Sequence, residues 1–129
     1  MCDLKILIVE DEAIVAMEIK HRIEKMGHFV SGVAAFGEKA VQLAEETKPD
    51  LALMDINLKG KMNGIEAAIK IGTSFMIPSI FITAFADDKT VTQIKESTPY
   101  ECLFKPFMET ELKGAIERTI GSNKPSAAC

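Results

Sequence analysis

The sequence predicts an α/β domain built on a doubly wound parallel sheet, and three observations carry that reading. Residues 6–9, 51–54 and 77–84 are mainly apolar runs, too short for helices and without a polar face, as strands covered on both sides are. The stretches between strands show helical apolar spacing or helix-forming composition. The connections are only a few residues long, so each strand and helix forms a right-handed crossover unit, and the helices must lie on one face of the sheet or the other.

Taken in order, residues 4–9 form strand one. Residues 11–26 form helix one, with Ile14, Met17, Ile19, Ile23 and Met26 at roughly helical spacing and Gly27 as the stop. Residues 29–35 are strand two; Gly37 and Glu38 then lead into an Ala-rich helix that ends near Thr47, with Pro49 blocking continuation. Residues 50–55 are a third buried strand ending on Asp55, followed by a loop of turn formers over 57–64. Residues 65–75 read as helix three, 78–83 as strand four, 87–97 as a weakly apolar helix four, 101–104 as strand five and 108–120 as helix five. The expected architecture is a single-domain flavodoxin-like (βα)5 sheet with strand order 2-1-3-4-5. Residues 1–121 form the domain and 122–129, which lack periodicity, a flexible tail or linker.

Composition narrows the function. A chain of 129 residues, 47% hydrophobic and 26% charged, is ordinary for one globular domain with a real core, which excludes a disordered or membrane-spanning protein. The start of the chain lacks the basic flank and cleavage site of a secretory signal, so a cytoplasmic location is expected. Fifteen basic and nineteen acidic residues give net −4 with no basic stripe, so direct nucleic-acid contact is not expected. The three cysteines, Cys2, Cys102 and Cys129, make neither a disulfide framework nor a metal pair. Neither His21 nor His28 pairs with a carboxylate cluster or with a second histidine at ligand spacing.

In an open parallel sheet, ligands bind beyond the carboxyl ends of the strands where the strand order reverses. Here those ends carry Glu10-Asp11-Glu12, Asp55, Thr83 followed by Ala84, and Lys105-Pro106. Three carboxylates at one rim repel and raise one another's pKa unless a cation sits among them. A hard dication meets that need: Mg²⁺ takes carboxylate, carbonyl and water oxygens and shares phosphate oxygens with a substrate. Three carboxylates balance Mg²⁺ plus Lys105, and the Thr83 hydroxyl with the main-chain N–H groups after Asp55 are the remaining donors for a phosphoryl group. A solvated acid at any single strand end is commonplace; four strand ends agreeing in this order is not.

Those residues, in the segments Ile8-Val9-Glu10-Asp11-Glu12, Leu53-Met54-Asp55-Ile56-Asn57, Met62-Asn63-Gly64, Ile82-Thr83-Ala84 and Phe104-Lys105-Pro106-Phe107, resemble the response-regulator receiver domain of two-component signalling over about residues 4–120. The resemblance implies that Asp55 is the phosphoacceptor, that Glu10 and Asp11 hold Mg²⁺, that Thr83 and Lys105 bind the phosphoryl oxygens, and that the Lys105-Pro106 bond is cis. It further implies in-line transfer from the phosphohistidine of a histidine kinase. Mg²⁺ would be held by Asp11, Asp55 and the main-chain oxygen of Asn57, with Glu10 acting through water. Thr83 would move onto the phosphoryl group and shift the loop before helix four toward a downstream effector protein or domain. Such a domain is not an enzyme on other substrates; it catalyses only its own phosphorylation and dephosphorylation.

The sequence departs from the family at Cys102, where an aromatic residue usually stands three positions before the lysine. Cys102 reads as core, with Tyr100 or Phe104 on the same strand face as possible substitutes. Asn57 and Phe85 flank the expected entrance for hydrolytic water; Asn57 can orient a water and Phe85 cannot. Lys59 and Lys61 in the loop over 57–64 read as solvated before they read as a kinase dock. A flavin mononucleotide carrier needs a Ser, Thr and Gly phosphate loop after strand one, where Glu10-Asp11-Glu12 repels phosphate. A haloacid-dehalogenase-type phosphatase wants a second Asp where this chain has Asn57. A receiver-shaped module that docks partners without phosphorylation stays open, as do a free-standing receiver and one excised from a larger kinase or regulator, for which residues 124–126 read as linker.

Overall fold

The computed structural model describes residues 3–58, 60–83 and 101–123. The predicted helix over 87–97, residues 124–129, and Cys2, Lys59, Ala84, Phe85 and Tyr100 lie outside the described residues. In chain order the elements are β1 (Lys5–Val9), α1 (Ala13–Lys25), β2 (Phe29–Ala34), α2 (Gly37–Thr47), β3 (Leu51–Asp55), α3 (Gly64–Phe75), β4 (Ser79–Thr83), β5 (Cys102–Phe104) and α4 (Glu109–Asn123). The five strands form one sheet in the order β2-β1-β3-β4-β5, every pair parallel, which is the predicted flavodoxin-like topology.

Side chains alternate across a strand, so each apolar run supplies two cores. Ile6, Ile8, Leu53, Ile80 and Ile82 form one with α1 and α4 through Ile19, Ile23, Leu112 and Ile116. Leu7, Val9, Ala52, Met54 and Phe81 form the other with α2 and α3 through Ala40, Ala44, Ala67 and Ile71. This double burial is why the strands read as nearly unbroken apolar runs.

The predicted face of helix one needs correction. Ala16, Ile19 and Ile23 are buried, whereas Ile14 and Met17 are 81% and 71% exposed. At about 100° per residue, positions 16, 19, 23 and 26 share a stripe and 14 and 17 lie on the opposite side, so small Ala16 marks the true face. Helix α4 runs to Asn123, past the predicted end at 120 and two residues beyond the expected domain boundary. Gly121 does not stop it, and the next breaker in the sequence is Pro125, which disfavours helix at the residue before it.

The loop after β3 is turned back by a tight approach. A Cβ added to Gly64 would stand 2.0 Å from the Asp55 carbonyl oxygen, so only glycine lets α3 start there. The Gly64 N–H donates to the Ile56 carbonyl at 3.1 Å. Asn63 and Glu66 close a reciprocal capping box on the same turn, which starts α3 at Gly64 and not at 65. Among the described residues, no helix is long and apolar enough to cross a membrane.

Candidate functional site

All four strand-end signals converge at the carboxyl edge of the sheet. Glu10 follows β1, Asp55 ends β3, Thr83 ends β4, and Lys105 follows β5. Parallel pairing sets them side by side: Asp55 pairs in register with Ile82, and the Lys105 N–H donates to the Thr83 carbonyl at 2.8 Å. Glu10, Asp55 and Thr83 are buried polar residues, at 2%, 5% and 0% exposure, in a fold whose other interior groups are almost all apolar.

The acidic cluster is real in three dimensions. Glu10, Asp11 and Asp55 each offer a carboxylate oxygen, and these oxygens lie within 4.8 Å of one another. Glu10 and Asp11 sit just ahead of α1, whose amino end favours negative charge. That is a hard-oxygen donor set of the kind Mg²⁺ takes, so the residues fit the predicted metal. Glu10 is the most committed of the three: Oε1 accepts from Lys105 Nζ at 2.5 Å and Oε2 accepts from the Glu12 N–H at 3.2 Å.

Lys105 also stands 3.8 Å from Asp55 Oδ2. Burial pulls its ammonium pKa down, but the Glu10 hydrogen bond and the charges of Asp55, Glu10 and Glu12 outweigh that and leave it above its usual value. The lysine is therefore a fixed positive charge at neutral pH. The Lys105-Pro106 bond is cis, as the resemblance implies.

Asn57 joins the end of β3 to β4. Its main-chain N–H donates to Asp55 Oδ1 at 3.0 Å, and its Nδ2 donates to Thr83 Oγ1 at 3.3 Å. In the sequence Asn57 stands out for its main-chain oxygen and for orienting water, and nothing local signals this side-chain contact with Thr83. Arg22 was missed as well. From α1 its Nη1 donates to the Phe107 carbonyl at 3.2 Å, and its guanidinium lies 5.7 Å from the Phe107 ring centre, so it pins the segment that carries Lys105. In the sequence Arg22 is one half of an ordinary Glu18 pair four residues apart on a helix, and nothing local separates it from a surface ion pair.

Cys102 packs against the α2 and α3 core, and burial pushes its thiol pKa up, as an inert packing residue requires. Phe104, one of the two aromatic substitutes for the usual switch, is half-exposed on β5. His28 Nδ1 accepts from the Leu4 N–H at 3.2 Å, a structural contact at the far end of β1, and His21 is exposed. A cleft of about 460 Å³ between the carboxyl ends of α2 and α3, lined by Ala44, Lys48, Phe75 and Met76, lies at the opposite end of the sheet and holds none of the strand-end residues.

Known proteins are similar to this chain in sequence and in fold. Residues 6–117 match the family described as the response regulator receiver domain. The chain is 34% identical over 116 residues to the transcriptional regulatory protein PdtaR of Mycobacterium tuberculosis (strain CDC 1551 / Oshkosh), covering 90% of this chain and 56% of that protein. It is 32% identical over 117 residues to the chemotaxis protein CheY of Thermotoga maritima, covering 88% of this chain and 95% of that one. The signal receiver domain of a modulated diguanylate cyclase from Desulfovibrio desulfuricans G20 superposes with a TM-score of 0.90 at 35% identity, covering 97% of this chain and 99% of that one. The chain thus spans about half the length of PdtaR. With its fold and its sequence in agreement over nearly the whole chain, this protein belongs to the response-regulator receiver domains of two-component signalling.

Proposed function

We propose that this receiver takes a phosphoryl group from the phosphohistidine of a histidine kinase onto Asp55, in a Mg²⁺-dependent reaction, and passes the resulting change to a downstream effector protein or domain. The observation that carries the reading is the buried Asp55 carboxylate, held by the Asn57 N–H on one oxygen and faced by the Lys105 ammonium on the other. Asp11, Asp55 and the main-chain oxygen of Asn57 would hold the metal, and Glu10, whose two oxygens already accept from Lys105 and Glu12, would act through water. Bound there, Mg²⁺ supplies charge neutralisation for the oxygens of a transferring phosphoryl group.

The chain's own groups do the rest. Asn57 N–H orients one Asp55 oxygen, leaving the other as nucleophile toward phosphorus in line with the departing histidine nitrogen. Lys105 meets charge on the transferring oxygens without having to gain a proton, and the Thr83 hydroxyl is the donor that marks the phosphorylated state. The domain is not an enzyme on other substrates; it catalyses its own phosphorylation and dephosphorylation, and we place it in the cytoplasm with its kinase.

Incubation with acetyl phosphate should add one phosphoryl group in Mg²⁺ and none in chelator, and hydroxylamine should remove it, as it does an acyl phosphate. No uptake under any metal condition would overturn the reading and favour a receiver-shaped module that docks partners unphosphorylated. Thr83→Ala should still take up the group but transmit less of the change. Amide-exchange maps of the phosphorylated wild type and mutant that coincide around β4 would refute the role given to Thr83.

A further inference from the structure

Asn57 touches the acceptor and the switch hydroxyl at once. Its N–H holds Asp55 Oδ1, and two residues from Asp55 its carboxamide donates to Thr83 Oγ1. At 3.3 Å this second bond is near the outer limit for its kind, so a displacement of a few tenths of an ångström breaks it. The Thr83 carbonyl accepts from the Lys105 N–H, so the hydroxyl can turn toward Asp55 by side-chain rotation while its main chain keeps its place in the sheet. Any such rotation carries Oγ1 away from the position in which Asn57 holds it.

We propose that the Asn57 carboxamide is a resting-state latch on Thr83, a positioning residue that sets how readily the hydroxyl leaves for a phosphoryl oxygen. The proposal rests on Asp55 being the phosphoacceptor. The latch is separable from the metal role proposed for Asn57, because the side chain makes the bond to Thr83 and the main-chain oxygen is the atom that would hold the metal. Phosphorylation then exchanges one hydrogen bond of Thr83 for a stronger one to an anion, and the energy of the first is subtracted from the second. Removing the carboxamide takes away one hold on that hydroxyl before any phosphoryl group arrives.

The test uses beryllofluoride, a phosphoryl mimic that bonds to carboxylate oxygen, at saturating Mg²⁺, with four proteins: wild type, Asn57→Ala, Thr83→Ala and the double variant. Asn57→Ala should bind beryllofluoride about fivefold more tightly, the worth of one ordinary hydrogen bond. The Thr83 amide resonance of unliganded Asn57→Ala should move toward its beryllofluoride-bound position, a signature that a general loss of packing does not produce. In the Thr83→Ala background, Asn57→Ala should change the affinity little, because the latch acts only through that hydroxyl. Wild type that binds while Asn57→Ala binds equally or more weakly overturns the latch, as does an equal gain with and without Thr83. Wild type that binds no beryllofluoride overturns the phosphoacceptor assignment, and the latch with it.

Discussion

Lys105→Met should slow phosphoryl uptake from a small phosphodonor roughly 100-fold or more, the scale of removing one preorganised charge from a transition state. It should also destabilise the metal-free protein by about 3 kcal/mol, because removing one partner leaves a buried charge uncompensated. Glu10 has a side chain 1% exposed and accepts from Nζ at 2.5 Å, and Asp55 lies 3.8 Å from the same atom. Without the ammonium, three carboxylates confront one another with no cation. Added Mg²⁺ should close much of the stability gap to wild type, since a dication restores the missing positive charge. Thermal unfolding in chelator and in Mg²⁺, alongside uptake rates, measures both effects. A variant as stable as wild type in chelator would contradict this electrostatic account.

Gly64→Ala should cost about 3 kcal/mol or more, at the upper end of overpacking effects, and lower the midpoint of thermal unfolding by about 10 °C. The added Cβ would meet the Asp55 carbonyl oxygen at 2.0 Å and the Asp55 carbonyl carbon at 2.8 Å. Both are main-chain atoms of a strand buried at every residue, so no flexible side chain can yield. Either the turn over residues 57–63 opens or the end of β3 moves, and Asp55 moves with it. The variant should therefore lose phosphoryl uptake as well as stability, although residue 64 touches no substrate. Calorimetry and the uptake assay check the pair; a variant with wild-type stability would show that this turn relaxes freely.

How much of this was legible depended on the range of the cause. Strands buried on both faces leave continuous apolar runs, and β–α alternation with short connections restricts the topology, so the sheet order could be read directly. The strand-end residues were legible for the same reason. Once the strands are parallel, their carboxyl ends share an edge, and Glu10, Asp55, Thr83 and Lys105 must be neighbours. Contacts decided by packing were not legible. Ile14 and Met17 carry the larger side chains, yet Ala16 marks the buried stripe of α1, since what the sheet accepts at that point depends on the space left by its neighbours. Arg22 reaches Phe107, 85 residues away, and only the folded chain brings them together. Asn63 and Glu66 do carry a local signal, a capping-box spacing that bridges the turn formers over 57–64 and the start of the helix expected over 65–75. Gly64 reads as one of those turn formers, and its real constraint is the Asp55 carbonyl.

The most direct test concerns where the phosphorus goes. Intact-mass spectrometry after acetyl phosphate and Mg²⁺ should show one phosphoryl group on wild type and none on Asp55→Asn, while Asp55→Asn, with one negative charge fewer at the crowded rim, unfolds in chelator at a temperature no lower than wild type. The same mass gain in both proteins would contradict the assignment of Asp55 as the acceptor.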